Sequence, residues 1–155
     1  MDKEFMKDCM AKRTKEIEPS AFEVQNPVEI DNLARMHNSL CHYFLTGSKS
    51  ISSSETPLLA ILLGYFAMEQ KAYEILALKG LKVTSHICAI KGLSRVAMRK
   101  DLASTLSDAY ENRLEVNYLG NIKTIDLDRA RASKFLGETA LPFIAEIDMM
   151  VKKIK

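Results

Sequence analysis

The stretch TPLLAILLGYFAMEQKAYEILALKG, Thr56 to Gly80, decides the fold. Leu58 to Met68 is apolar on every side, and Tyr73, Ile75, Leu76 and Leu78 carry the pattern on to Gly80. Thr56 and Pro57 suit a helix start: a hydroxyl can cap orphan amides, and proline lacks the amide hydrogen that the first turn leaves unpaired. Glycine just past the last apolar position suits a helix end. A helix that is apolar all round belongs at a centre, enclosed by other helices. The 11 residues from Leu58 to Met68 fall well short of the roughly 20 that span a bilayer, so a buried core helix is expected.

Upstream, Asn26-Pro27-Val28-Glu29 is a second start signal, with Asn26 as cap and Pro27 at the first position. Ile30, Leu33, Ala34, His37, Cys41, Phe44 and Leu45 follow at helical spacing, and Gly47 reads as the end. Ser48 to Glu55 reads as a polar loop. Residues 2–17 read as a charged helix with a thin stripe of Phe5, Met6, Cys9, Met10 and Ile17, and residues 18–25 as a connection.

Downstream, Lys82 to His86 reads as a turn, with Thr84 or Ser85 capping a short helix to about Leu93. The next helix begins near Arg99, carries Leu102, Leu106, Ala109, Tyr110 and Leu114, and ends around Gly120-Asn121. Thr124 or Asp126 caps the last helix. Its apolar residues Leu136, Ala140, Phe143, Ile147, Met150 and Ile154 are spaced 4, 3, 4, 3 and 4, a seam for packing on another helix. Pro142 is expected to kink it. No strand alternation outlasts a few residues. These patterns predict an all-α, up-and-down bundle of four to six helices, one domain over residues 1–155.

Composition is that of a globular chain, 47% hydrophobic and 27% charged. A net charge of +2 points to no partner by itself. Its distribution is uneven: Ile75 to Lys100 holds Lys79, Lys82, Lys91, Arg95, Arg99 and Lys100 and no acid. That is a candidate surface for anions, with a solvated helix face as the plain alternative. Cys9, Cys41 and Cys88 are odd in number and have no CxxC spacing. They read as reduced, small apolar residues of a cytoplasmic protein, and zinc is not expected. The charged start Met1-Asp2-Lys3-Glu4 does not resemble a signal peptide.

There is no glycine-rich phosphate loop, no HExxH and no Gly-x-Ser-x-Gly. His37 and His42 read as structural or surface residues. Glu69 and Glu74 lack the Glu-x-x-His partners of a di-iron site. No metal or cofactor is expected. The chemistry concentrates in Arg113-Leu114-Glu115-Val116-Asn117-Tyr118. Arg113 and Asn117 share a helix face, and Tyr118 leaves from the neighbouring one. The guanidinium fork suits a phosphate. The plain alternative is Arg113 paired with Glu111 or Asp108, with Tyr118 packed at a helix end. Lys82 and His86 are further candidates for contact with an anion.

The run Glu69 to Gly80, then Thr84-Ser85-His86, then Arg113 to Tyr118 resembles, in order and spacing, the HEPN domain family over residues 57–151. The resemblance implies a small helical bundle that dimerises. It also implies a metal-independent ribonuclease of a toxin–antitoxin pair, partnered by a minimal nucleotidyltransferase. The family's motif is an Arg followed after four to six residues by a His, with both protomers lining one cleft. Here the Arg falls on Arg113 and the His position on Tyr118. Histidine titrates near pH 6.5 and tyrosine near 10, so tyrosine is a poor base at neutral pH. The expectation is therefore a dimeric HEPN-like module that is catalytically weak or silent. It would bind nucleotide, RNA or a nucleotidyltransferase through Arg113, Asn117, His86 and Lys82. The alternatives are a ribonuclease using Arg113 with Tyr118, or with His86 brought in by folding, and a helical scaffold without ligand chemistry.

Overall fold

The apolar stretch forms α3 (Leu58–Leu78), with Ala60, Ile61, Tyr65, Met68, Ala72, Ile75 and Leu76 completely enclosed. A computed structural model describes residues 2–11, 19–118 and 124–154, the side chains of Asn117 and Tyr118 excepted. Around α3 stand α2 (Pro27–Ile51), α4 (His86–Arg95), α5 (Lys100–Tyr118), α6 (Ile125–Phe135) and α7 (Leu141–Ile154), and all five pack on it. A short α1 (Lys3–Phe5) runs into a π turn, Met6–Met10. The expected all-α bundle is what forms.

The Asn26 side chain accepts from the Val28 amide at 2.9 Å, as the start signal predicts. α2 does not stop at Gly47 but continues to Ile51. A β-carbon at Gly47 would lie 3.2 Å from Leu63, and the buried Ser48 hydroxyl donates to the Ala60 carbonyl at 2.6 Å. Contact with α3 thus stabilises an extra turn that local propensity disfavours. The predicted loop shrinks accordingly.

Two three-residue strands were not expected. β1 (Ala21–Glu23) and β2 (Leu81–Val83) pair antiparallel, with Phe22 opposite Lys82. They occupy the predicted connection and turn, and are too short for alternation to register. Gly80 makes the ribbon possible. Its φ is +78°, a backbone region that only glycine enters without cost, and its carbonyl accepts from the Val24 amide at 2.8 Å.

The expectation of three reduced cysteines is corrected: Cys9 and Cys88 form a disulfide with 5.8 Å between their α-carbons, and Cys41 is free and buried. Sequence separation hid the pair, because its members are 79 positions apart.

Near Pro142 the helix widens into a π turn, Leu136–Ala140, where the Leu141 amide bonds the Leu136 carbonyl. The disruption therefore lies just ahead of the ring that removes a helix hydrogen bond. Along the predicted seam Leu136, Ala140, Phe143 and Ile147 are buried, joined by Ile144 and Val151. Ile154 is exposed. Thr124 stands at the start of α6 but makes no side-chain cap bond. α6 lies close to α3 at Gly64, where a β-carbon would meet the Phe135 ring at 2.9 Å. No helix among the described residues is long and apolar enough to cross a membrane.

Lys71 and Glu74 place a cation and an acid inside the bundle. Lys71 is 1% exposed. Its ammonium donates to Asn38 of α2 at 2.7 Å and to Glu74 at 2.6 Å, and it pairs with Asp148 of α7 at 2.6 Å.

Candidate functional site

Three helices bring a polar and aromatic cluster together where α3 faces α5. Tyr65, Glu69 and Tyr73 recur every fourth residue on α3, so they stack along one face. Tyr110 and Arg113, three apart, face them from α5, and His86 enters as the first residue of α4.

Arg113 is held by ring faces. Its guanidinium carbon lies 5.0 Å from the Tyr65 ring centre, 5.6 Å from Phe66 and 5.1 Å from Tyr110, within cation–π range of all three. Its Nε is buried and has no hydrogen-bond partner. Pairing with Glu111 or Asp108 is not seen, and no ion pair engages Arg113 among the described residues. The His86 ring stacks on Tyr110, with centres 4.3 Å apart and planes tilted by 20°. One aromatic side chain, Tyr110, thus touches both candidate groups.

Glu69 is the acid of this cluster. The Tyr65 hydroxyl donates to it at 3.1 Å. Burial raises its pKa above the ordinary glutamate value, although the Tyr65 bond, the nearby His86, the Tyr73 hydroxyl and Arg113 all act in the opposite direction. Burial likewise pushes up the Tyr65 and Tyr73 hydroxyls, and the Glu69 charge adds to it. Both phenols therefore stay protonated and act as donors.

The cluster continues to α2. The Tyr73 ring lies 5.3 Å from His37, whose Nδ1 is 2.7 Å from the Gln70 side-chain oxygen. Burial lowers the His37 pKa against that bond, so the ring is a neutral, satisfied core residue. Lys82 is exposed and lies on this side, near enough to depress His37 further. The structure therefore joins Arg113 and His86 but sets Lys82 toward the other end. The side chains of Asn117 and Tyr118 lie outside the described residues. Sequence reasoning missed Tyr65, Phe66, Glu69, Tyr73 and Tyr110 as a group. The available signal was the i, i+4, i+8 placement of hydroxyls and a carboxylate in a helix otherwise apolar.

No family model, no curated protein and no solved structure matches this chain. The site must be read from its own geometry.

Three of the six basic residues from Ile75 to Lys100 are engaged in ion pairs. Lys91 pairs with Asp8 at 2.5 Å, Arg95 with Glu4 at 2.7 Å and Asp2 at 3.4 Å, and Arg99 with Asp101 at 2.6 Å and Glu146 at 3.3 Å. Among the described residues no three His, Cys, Asp or Glu side chains gather as a metal site.

Proposed function

We propose that this chain is a HEPN-like module whose Arg113 cleft binds the phosphate of a nucleotide or of RNA, with weak or no catalysis. The observation that carries this reading is Arg113 itself. It is a permanent cation without a carboxylate partner among the described residues, fixed in plane by three aromatic faces. An unpaired guanidinium in a rigid aromatic setting loses little freedom when a phosphate arrives, and the low local dielectric strengthens the contact. Glu69 sits at longer range and balances the charge without occupying the fork. A nucleotidyltransferase of a toxin–antitoxin pair fits this reading as the partner. So does a second copy of the chain, through the open groove where Tyr43, Phe44, Ile51 and Leu63 lie. Arg113→Ala is expected to abolish binding of labelled RNA and nucleotides while leaving helicity intact. Unchanged binding would overturn the reading.

A second reading is favoured by the approach of His86 to Tyr110. In a ribonuclease built on this cluster, Arg113 would hold the scissile phosphate. His86, in place of Tyr118, would take the 2′-hydroxyl proton as that oxygen bonds to phosphorus; the bond to the 5′ oxygen breaks, water supplies that oxygen's proton, and a 2′,3′-cyclic phosphate is left. Cleavage of RNA in EDTA that is lost in His86→Ala would support it; no cleavage by the intact protein would remove it.

A further inference from the structure

The face of α4 turned away from the Arg113 cluster carries a ladder. Cys88, Lys91 and Arg95 are three and four residues apart and lie on one side of the helix. Residues 2–10 lie along that side and run antiparallel to it. Cys9 bonds Cys88, Asp8 pairs with Lys91, and Glu4 and Asp2 pair with Arg95. Phe5 is completely buried beneath them. Lys91 and Arg95, in a stretch that holds no acid of its own, are thus neutralised by three acids supplied from elsewhere in the chain.

We propose that the Lys91–Arg95 face of α4 is a binding surface for the phosphate backbone of single-stranded RNA. Residues 2–10 occupy it as an acidic stand-in until the Cys9–Cys88 disulfide is reduced. The proposal extends the RNA reading above to a second surface. Lys91 and Arg95 are one turn apart, about 6 Å along the axis, which suits neighbouring phosphates rather than a single anion. Partly exposed pairs such as Asp8–Lys91 and Glu4–Arg95 stay solvent-screened and give way to a polyanion that releases bound counterions. The disulfide is what makes the cover persistent. A dithiol reductant opens it: the bond between the two Sγ atoms breaks, two protein thiols form, and the reductant's own sulfurs close into a disulfide. Both cysteines are buried, so the attack waits on local opening.

The test is fluorescence anisotropy with a labelled oligouridylate, read over a salt series. The protein is used oxidised, reduced with dithiothreitol, and as Cys9→Ser, the permanently open form. Reduction and Cys9→Ser are both expected to tighten binding roughly tenfold at low salt. They should also steepen the slope of log K against log salt by about 1.4, two added phosphate contacts on a single strand. Should Cys9→Ser fail to fold, the Asp2→Asn, Glu4→Gln, Asp8→Asn triple variant serves, since it removes the acids and keeps the disulfide. It should recover part of that gain while still oxidised, because the tethered segment no longer competes for Lys91 and Arg95. Lys91→Ala with Arg95→Ala should abolish the gain, whereas Arg113→Ala should lower affinity equally in both redox states. Identical affinity and salt slope in oxidised, reduced and acid-free proteins would overturn the proposal. Binding to phosphatidylglycerol vesicles without any RNA response would overturn the ligand assignment.

Discussion

At the scale of residues, Lys71 and Glu69 show how one helix buries two opposite charges differently. Burial would depress the Lys71 pKa, but hydrogen bonds to Asp148 and Glu74 outweigh it and hold the pKa above the ordinary lysine value. Lys71→Ala leaves Glu74 buried without its cation and is expected to cost about 3–5 kcal/mol in urea unfolding. Lys71→Met combined with Glu74→Gln should recover most of that loss, because no buried charge is left unpaired and the freed Asp148 carboxylate reaches solvent. Glu69 is the converse case. Its folded pKa is raised, so the folded state holds the proton more tightly than the unfolded chain does. Its contribution to stability is then full below the unfolded value of about 4.3 and is lost as pH rises through the folded value. Glu69→Gln should therefore gain melting temperature over the parent at neutral pH, with the advantage fading in acid. A pH-independent difference would show that the carboxylate does not titrate as its burial implies. Arg113 and His86 stand out in the sequence by residue type and position. Glu69 does not, because an acid in an otherwise apolar helix resembles a solvated position until folding places two tyrosines over it.

At the scale of elements, local signals located the helices and tertiary contacts set their limits. Asn26 caps as its sequence context implies, yet Gly47 does not terminate α2, since Leu63 and Ala60 of α3 reward the further turn. The ribbon of β1 and β2 was illegible for a related reason: pairing across 60 positions is a property of the fold and not of either tripeptide. The tie between residues 2–10 and α4 is the most consequential element contact. In the loop-entropy account, a crosslink spanning 79 positions is worth about 4 kcal/mol, so Cys88→Ser should lower stability by up to that amount. Thiol counting checks the pairing directly. Unreduced protein should show no reactive thiol when native and one when denatured. Cys41 is buried, and desolvation pushes its pKa up to about 11, so it labels only on unfolding.

At the scale of the whole molecule, one hydrophobic core runs from Phe5 through α2, α3, α4 and α5 to Val151. No second hydrophobic cluster is found among the described residues, so α2 to α7 are expected to melt together. Far-ultraviolet circular dichroism and tyrosine fluorescence should therefore trace coincident urea transitions, with a slope of about 1–3 kcal/mol per molar urea. Separated transitions would mean that α6 and α7 unfold apart from the rest. The overall class was readable because Leu58 to Met68 is apolar on every side and only a surrounding bundle can cover it. The site was half readable, since Arg113 and His86 lie in recognisable local settings while the aromatic walls come from two separate helices.

The buried ammonium has one more consequence. The apolar positions of the last helix repeat every seven residues, so oily contacts alone would accept α7 slid up or down by a heptad. Such a slip would place Leu141 or Lys155 where Asp148 now stands. Either would leave the Lys71 ammonium facing a hydrocarbon or a like charge in place of one of its two carboxylates, Glu74 alone remaining. Lys71 thus acts as an alignment key: it admits one register of α7 on α3 and rejects the neighbouring ones that the seam cannot distinguish.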